Sequence, residues 1–424
     1  MSEPVVGFAG LTHLGLVSAV AAAARGCQAI GYHADDALIA ALERGELPMV
    51  EPGLLELLGG NRDRLSFSAD PAALSRCDVV YVAADVPTDD RGVSDLEPIR
   101  EITATVTGAI EDDVVLVVLS QVPPGFTRRL SFDPGRLYYQ AETLTVGHAV
   151  ERAMHPERFI VGCADPSAPL PPRLQRFLEV FDCPILAMRY ESAELAKVSI
   201  NMYLVASVTV ANTMAELCEK VGADWSEVGP ALKLDPRIGP HAYLKPGLGI
   251  AGGNLERDLA TVCTIAERTG SDAGAVRAWI ADSRHRRDWV LRVLHEKVLR
   301  ERPGARIAVL GLAYKENTAS IKNSPALALI EALGPRRVRV FDPMLTPADT
   351  PYPELEATRS ALEACDGAEA LTIMTPAPEF AALRPKEIAE RLSGSTVIDP
   401  YAVLDPVACQ ASGLHYRTLG RPAD

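Results

Sequence analysis

The sequence has 424 residues, 48% of them hydrophobic, and a formal net charge of −14. This length is enough for about three domains, and the acidic balance argues against nonspecific binding to nucleic acid or to an anionic membrane surface. Nothing in the sequence approaches the roughly 20-residue apolar span of a membrane helix, and no signal peptide is evident at the N-terminus. The eight cysteines are scattered without metal-ligand spacing, which predicts reduced thiols, no metal site and a cytoplasmic protein.

The first 190 residues show the alternation of apolar strands and helices that a parallel, doubly wound sheet requires. A strand at 5–9 ends at Gly10, a helix at 14–25 is stopped by Gly26, and a second strand is expected at 29–32. Further buried strands are predicted at 79–84, 114–119, 137–139 and 159–161. We therefore predict a dinucleotide-binding, Rossmann-like domain over residues 1–190.

The rest of the chain predicts a helical middle and a second α/β domain. Residues 191–221 have few helix breakers and an apolar period of about 3.6 residues, which predicts one long helix that links domains or forms a dimer core. A second helical stretch is expected at 273–300. Strands follow at 306–310, 338–343, 370–374 and 396–398, with a helix begun by Ser324 as N-cap and Pro325 as first residue. We predict an α/β fold in which two Rossmann-like, doubly wound domains (1–190 and 301–424) flank a central helical domain (191–300).

The segment from Gly10 to Gly15 lies where a dinucleotide-binding loop belongs, after a strand and at the start of a helix. A phosphate there meets backbone N–H groups and the positive end of the helix. Thr12 replaces the glycine that normally lets the backbone approach the pyrophosphate, and His33 stands where an acidic residue usually binds the ribose. Asp35 and Asp36 follow, either to bind the ribose or, as we favour, to cap a helix at 37–44. We assign the dinucleotide site to Gly10, Thr12, His13, Leu14, Gly15 and His33.

The segment from Pro246 to Gly253 has four glycines in eight residues, a composition that brings bare backbone close to a neighbour. With it stand other motifs, namely Glu51-Pro52-Gly53-Leu54, Val86-Pro87-Thr88-Asp89, Ser120 to Gly125, Ala141-Glu142-Thr143-Leu144, Asp235 to Gly239, Gly311 to Thr318 and Ile321 to Ala326. Together these motifs resemble those of the UDP-glucose/GDP-mannose (nucleotide-sugar) 6-dehydrogenase family, and they cover nearly the whole chain.

The resemblance implies an NAD-dependent oxidoreductase, NADP not excluded, that acts on a sugar nucleotide as a homodimer. It implies catalytic roles for Glu142, Lys197, Asn201, Asn254 and Asp258. It adds Val86, Gln121 and Lys322 to the cofactor site. It implies substrate contacts for Thr143, Leu144, Arg237, Tyr243, Leu244, Gly247, Gly249, Gly252 and Lys315, with Arg237 reaching the sugar site of a neighbouring subunit.

Lys197 and Asn201 are four residues apart and therefore point from one face of a helix. An ammonium and an amide that converge can hold a reacting oxygen and stabilise negative charge developing on it. The alternative is a solvated surface lysine beside an asparagine satisfied within helix packing. We favour the functional interpretation because matching loops lie on both sides of the pair.

Asn254 stands where the family carries its cysteine nucleophile, and an amide cannot trap an aldehyde as a thiohemiacetal for a second oxidation. Cys263, nine residues further on, is not expected to replace it. Our first hypothesis is a single-step alcohol dehydrogenase or carbonyl reductase that acts on a sugar or sugar-like substrate. Two alternatives stay open: a redox-neutral epimerase with retained NAD, and a catalytically silent homologue that binds a ligand or partner.

Overall fold

The structure is a computed structural model that describes residues 4–89 and 92–422. The chain divides into two compact units, Met1–Ile200 and Asn201–Asp424. The prediction of three domains, at 1–190, 191–300 and 301–424, stays a prediction.

The first unit is built on an eight-stranded sheet. Its order is β3-β2-β1-β4-β5-β6-β7-β8, and every neighbouring pair is parallel except the antiparallel pair β6 and β7. The strands are β1 (Val5–Ala9), β2 (Gln28–Tyr32), β3 (Leu65–Ser68), β4 (Val79–Val82), β5 (Val115–Val118), β6 (Leu137–Gln140), β7 (Phe159–Cys163) and β8 (Ile185–Arg189). The order 3-2-1-4-5-6 of the first six strands is that of a dinucleotide-binding fold.

Helices cover this sheet on both faces, because its central strands β1, β4 and β5 have no polar side chains and must be buried on both sides. They are α1 (His13–Ala24), α2 (Asp36–Arg44), α3 (Leu54–Gly60), α4 (Glu97–Thr107), α5 (Ala149–Met154) and α6 (Pro172–Glu179), with 3₁₀ turns at Pro71–Arg76 and Thr127–Arg129. Two apolar clusters result, one around α1 and α6 with Phe8 and Tyr81, the other around α4 with Val80 and Leu116.

The second unit contains a six-stranded, fully parallel sheet in the order β11-β10-β9-β12-β13-β14. Counted from its own first strand, this order is again 3-2-1-4-5-6, so both predicted Rossmann-like sheets are confirmed. The strands are β9 (Ile307–Leu310), β10 (Val338–Phe341), β11 (Glu356–Ala357), β12 (Ala370–Ile373), β13 (Thr396–Ile398) and β14 (His415–Arg417).

The helices of the second unit lie before the sheet and between its strands. Before it are α8 (Trp225–Leu234), α9 (Asn254–Thr269), α10 (Gly274–Arg287), α11 (Trp289–Leu294) and a π-helical turn at His295–Leu299. Within it are α12 (Pro325–Leu333), α13 (Ala361–Cys365), α14 (Pro378–Ala381), α15 (Pro385–Arg391) and α16 (Pro406–Ala411), with 3₁₀ turns at Pro335–Arg337 and Pro347–Asp349. Ser324 caps α12 by accepting a hydrogen bond from the backbone N of Ala326 at 3.2 Å, and Pro325 is its first residue, as predicted.

The long helix α7 (Tyr190–Val221) begins in the first unit and ends in the second. The predicted bounds of 191–221 are therefore correct to one residue. By length and composition α7 is apolar enough to cross a membrane, with a mean hydropathy of 1.3 over 18 residues, so the expectation that no such span exists was wrong. Core helices of soluble proteins pass the same test, and a third of that window is buried.

Several elements were not predicted. The sequence analysis did not place β3, β8, α6, α8 or α9, and it treated 273–300 as one helix where the structure has three helical pieces. The strand β8 was missed although Ile185 to Met188 are all apolar, and in the structure its five residues are half-buried or exposed.

Candidate functional site

The dinucleotide loop runs from Gly10 at the end of β1 into α1. Gly10 has φ of +96°, and a Cβ there would lie 2.8 Å from the backbone N of Ala84, so only glycine fits. A Cβ on Gly15 would overlap the carbonyl oxygen of Gly10. Both glycines are therefore required by the tight turn and by close packing of α1 against the sheet, as the fingerprint predicts.

Thr12 is the N-cap residue of α1, but its side chain does not cap the helix. Its Oγ1 instead accepts a hydrogen bond from the backbone N of Asp85 at 2.9 Å, which fixes the side chain against the loop after β4. The N–H groups of the first turn, beginning at His13 and Leu14, have no intrahelical acceptor by helix geometry. This end of α1 therefore fits the pyrophosphate of a dinucleotide despite the missing second glycine.

At the end of β2, the aspartate predicted to cap a helix does so. Asp35 accepts hydrogen bonds from the backbone N of Ala37 at 2.8 Å and of Leu38 at 3.4 Å, and α2 begins at Asp36. His33 accepts from the backbone N of Asp35 through Nδ1 at 3.2 Å. The carboxylate of Asp35 is thus engaged in capping, and His33 holds the position of the usual ribose-binding acid.

Glu51 forms a buried junction with His13 that the sequence analysis missed. Its side chain is fully buried and accepts hydrogen bonds at 2.9 Å from the His13 Nε2 and from the backbone N of Gly147 and Ala149. Burial opposes ionisation, but the Gly147 N–H, the His13 ring and the Ala149 N–H together hold the pKa of Glu51 below its usual range. Glu51 therefore ties the dinucleotide loop to the start of α5, just beyond the loop at 141–144.

We expect Glu51→Ala to lower the free energy of unfolding by about 3 kcal/mol, because it leaves buried N–H donors without an acceptor. Since the pKa of Glu51 is lowered on folding, its carboxylate stabilises the protein above about pH 4, and this contribution is lost as pH falls through the folded pKa. Denaturant unfolding between about pH 2 and pH 7, a range that includes the lowered folded pKa, measures both effects.

The matched control for Glu51 is Glu46→Ala. Glu46 pairs with Arg44 on the surface, where its side chain is 61% exposed, so its loss should destabilise the protein far less than the loss of Glu51. If the two substitutions lowered the free energy of unfolding equally, the buried hydrogen bonds of Glu51 would contribute no more than a surface ion pair.

Glu142 and Lys197 interact within the first unit. Glu142 follows β6, and its carboxylate accepts hydrogen bonds from the backbone N of Thr143 and of Leu144. Burial raises the pKa of Glu142 above its usual range, while the Lys197 ammonium, these N–H donors and His13 act against that rise. The two residues that the resemblance assigned to catalysis in this unit are therefore close enough to influence each other's charge.

The loop at 120–125 is held by Glu194 of α7. Glu194 is buried and accepts hydrogen bonds from the backbone N of Gly125 at 2.5 Å and of Thr127 at 2.8 Å. Burial raises its pKa, and the Thr127 and Gly125 donors oppose the rise. Gln121 in this loop is half-buried, and Val86 in the neighbouring loop is buried in the apolar cluster around α4.

Asn201 and Asp258 meet in the second unit. The Asn201 Nδ2 donates to the Asp258 Oδ2 at 2.5 Å, and the Arg257 Nε lies 3.5 Å from the other carboxylate oxygen. All three side chains are buried. Along α7, Asn201 lies one turn after Lys197, so the predicted i, i+4 relation of that pair is also present.

The glycine loop packs against protein at two of its glycines. Gly249 has φ of +75° and a Cβ there would overlap the carbonyl oxygen of Ser283, while a Cβ on Gly252 would lie 2.9 Å from the Tyr314 ring. Side chains hold the loop from outside: the Asn212 Oδ1 accepts from the backbone N of Gly247 at 2.8 Å. The glycine composition predicted that the loop backbone lies close to a ligand. At Gly249 and Gly252 the close neighbours are instead residues of the same chain.

Asn254 is the first residue of α9 and is exposed. Cys263 lies nine residues further along the same helix, about 13 Å by helix rise, and packs at the edge of the apolar cluster that contains Val205 and Leu259. Its position agrees with the expectation that it does not replace the family's cysteine.

The remaining predicted substrate residues have different surroundings. Arg237 is exposed and pairs with Asp235 at 2.7 Å, and Tyr243 is half exposed. The Leu244 carbonyl accepts from the Trp225 Nε1 at 2.7 Å. The Lys315 Nζ lies 5.7 Å from the centre of the Tyr314 ring.

Tyr401 is a neighbour of the glycine loop that the sequence analysis did not assign. A Cβ on Gly247 would lie 3.9 Å from its ring, and the backbone of Leu248 hydrogen-bonds it. The preceding Asp399 is buried and accepts from the Tyr416 hydroxyl at 2.7 Å and the Leu404 backbone N at 2.8 Å.

Two Rossmann-like sheets, with a glycine turn that opens α1, define a dinucleotide-binding α/β protein. Three models of one family match this chain: the NAD binding domain at residues 5–181, the central domain at 191–282 and the UDP binding domain at 308–406. The chain belongs to the UDP-glucose/GDP-mannose dehydrogenase family, and it is an NAD-binding oxidoreductase of that family.

Relatives match over almost their whole length. UDP-glucose 6-dehydrogenase TuaD of Bacillus subtilis is 29% identical and covers 98% of this chain and 92% of its own. UDP-glucose 6-dehydrogenase of Pseudomonas aeruginosa is 29% identical, and the match covers 97% of this chain and 96% of the relative. Among solved structures, a UDP-glucose dehydrogenase from Pyrobaculum islandicum has a TM-score of 0.83 at 26% identity, covering 96% and 98%. The UDP-D-ManNAc dehydrogenase of Pyrococcus horikoshii has a TM-score of 0.85 at 22% identity, covering 98% and 99%, and supports the fold alone.

Within the part of the chain that the structure describes, no group of three or more histidine, cysteine, aspartate or glutamate side chains could hold a metal ion. All eight cysteines are free thiols. The individual roles assigned to the site residues stay predictions.

Proposed function

We propose that this protein is an NAD-dependent dehydrogenase that performs one two-electron oxidation or reduction on a sugar nucleotide. The observation that carries the proposal is Asn254 at the start of α9, where the family motif has its cysteine, while Asp258 one turn later keeps its contact with Asn201. Asn201 and Asp258, the polar groups that would serve an alcohol oxygen, are present. The thiol nucleophile that a second oxidation requires is absent from position 254.

Oxidation of an alcohol removes a hydride from carbon and a proton from oxygen. NAD, when bound, would accept the hydride, and the proton would pass to solvent water. Lys197 and Asn201, one turn apart on α7, are the donors that would hold the alcohol oxygen and stabilise the negative charge that grows on it. Asp258 fixes the Asn201 amide by accepting from its Nδ2, so the amide oxygen is left facing away from that carboxylate.

Assay with NAD and a panel of UDP- and GDP-sugars, followed by the absorbance of the reduced cofactor, tests the proposal. Formation of reduced cofactor with one of these sugars is the expected result. Conversion of the sugar without net reduced cofactor would favour the redox-neutral epimerase instead. If a thermal-shift assay detects binding of neither NAD nor NADP, the result would favour the catalytically silent homologue.

We also propose that the protein is a cytoplasmic homodimer assembled through α7. In the second unit one face of this helix exposes Tyr203, Val210, Met214, Leu217 and Val221, each at least 43% exposed. Their spacing of seven, four, three and four residues places them along one stripe of the helix. An exposed apolar stripe of this length is typical of a protein–protein interface.

We expect Val210→Asp to convert the dimer to a monomer, because a carboxylate in the centre of a closed apolar interface cannot be solvated. Sedimentation velocity measures the change. Val407→Asp is the matched control: Val407 is 73% exposed on α16 and lies outside the stripe, so this variant should remain dimeric. A dimer that persists in Val210→Asp would place the interface elsewhere.

A further inference from the structure

His33 lies at the edge of the first sheet, beside the dinucleotide turn. The backbone N of Gly10 donates to the carbonyl of Tyr32 at 2.9 Å, so the residue that follows β2 stands next to the turn between β1 and α1. On its other side, the backbone N of His33 donates to the carbonyl of Ser68, the last residue of β3, at 3.2 Å. In a dinucleotide-binding fold, the acid at this position accepts a hydrogen bond from the 2′-hydroxyl of the adenosine ribose. Position 33 is therefore the place from which the substituent on that 2′ carbon is recognised.

The His33 ring offers a donor at this place instead of an acceptor. Its Nδ1 accepts a hydrogen bond from the backbone N of Asp35 at 3.2 Å, so the proton of the neutral ring is on Nε2. Within the part of the chain that the structure describes, no hydrogen bond engages Nε2, and the side chain is half-buried. A carboxylate only accepts and carries a negative charge, whereas this N–H group donates and carries none. The polarity of the ribose subsite is therefore the reverse of the usual one.

The carboxylates near His33 do not replace the missing acid. Asp35 caps α2 by accepting from two backbone N–H groups of its first turn, at 2.8 and 3.4 Å. Asp70, after β3, accepts from the backbone N of Ala72 at 2.9 Å and caps a 3₁₀ turn. Each would have to release backbone donors before it could accept from a ribose hydroxyl. Asp36, the first residue of α2, is exposed, so solvent and salt screen its charge.

We propose that the ribose subsite at His33 accepts a 2′-phosphate, so that the protein binds NADP as well as NAD. This inference rests on the proposed function and concerns the cofactors of that same site. A 2′-phosphate is a strong, negatively charged acceptor, which matches both the Nε2–H donor and the positive N-terminal end of α2. The repulsion by which a carboxylate rejects such a phosphate is absent from position 33.

Fluorescence titration with NADH and with NADPH measures the two dissociation constants without requiring turnover. We expect the two constants of the wild-type protein to lie within about tenfold of each other. His33→Asp should weaken NADPH binding by about 10²-fold, because it places a carboxylate against the phosphate, and should not weaken NADH binding. His33→Gln keeps a neutral N–H donor, so its ratio of constants should stay that of the wild type. Thermal unfolding checks that each variant is folded.

His415→Asp is the matched control. It makes the same substitution at an exposed position on the edge strand β14 of the second sheet, so the ratio of constants should not change. NADH that binds the wild type more than about tenfold tighter than NADPH would overturn this proposal alone. So would a ratio that changes in Asp36→Asn but not in His33→Asp, because Asp36 would then set the choice of cofactor. Binding of neither dinucleotide would overturn the proposed function and this proposal with it.

Discussion

Lys197→Ala should lower kcat by about 10³-fold or more while the protein remains folded. The loss of a positioned charge that stabilises negative charge on a reacting oxygen has an effect of this size. Lys197 is half-buried and is the principal charge that opposes the rise in the pKa of Glu142. Without it, the Glu142 carboxyl becomes harder to ionise, so the variant loses both a donor and the charge balance of its neighbour.

Lys220→Ala is the control for this prediction. Lys220 is exposed in the last turn of the same helix, and its removal changes the same residue type without touching Glu142. Steady-state turnover, with circular dichroism to check folding, compares the two variants. Activity that survives Lys197→Ala at the wild-type level would show that the reacting oxygen lies elsewhere.

Asp258→Ala should be the most destabilising substitution in the candidate site. Asp258 is 1% exposed, accepts from Asn201 and lies beside the buried Arg257 guanidinium. Removing one partner of a buried charged pair costs about 3–5 kcal/mol. Denaturant unfolding should therefore show a fall of this order in the free energy of unfolding, together with a loss of activity.

The isosteric Asp258→Asn separates the two roles of this residue. An amide fills the same volume, so more of the stability should remain, while kcat should still fall by about 10²-fold because the negative charge is lost. Asp112→Asn, on an exposed loop, should change neither quantity. If Asp258→Asn is as active as the wild type, the carboxylate is structural only.

Features that depend on neighbours in sequence were predicted well. The helix α7 was placed to within one residue because its apolar period continues without a breaker for about nine turns. Asp35 and Ser324 were identified as helix caps because capping requires only a short polar side chain two or three residues before a backbone N–H. The strands of both sheets were found wherever they are buried on both faces.

Features that depend on distant neighbours were not predictable from a single sequence. Gly249 and Gly252 indicated that the backbone packs closely against another group. They did not indicate that this group would be Ser283 or Tyr314, each more than thirty residues away in the sequence. His13 and Glu51 were each noted within a motif, yet nothing local indicates that their side chains meet. Such contacts are fixed by how the layers of the fold pack and not by local propensity.

Glu256 shows the same limit most clearly. The sequence places a carboxylate two residues after Asn254, which alone predicts only a favourable charge in the first turn of a helix. The fold half-buries this side chain and ties it to Asn323, and burial raises its pKa to about 7. The local rule gave no indication that this carboxyl would be hard to ionise.

We expect the reaction to stop after one oxidation, and the ratio of reduced cofactor to sugar consumed tests this most directly. The protein is incubated with NAD and the sugar nucleotide that it converts, the reduced cofactor is counted by absorbance, and the product is identified by mass spectrometry. We predict one reduced cofactor per sugar and a carbonyl product. Two reduced cofactors per sugar, with a carboxylate product, would contradict the account.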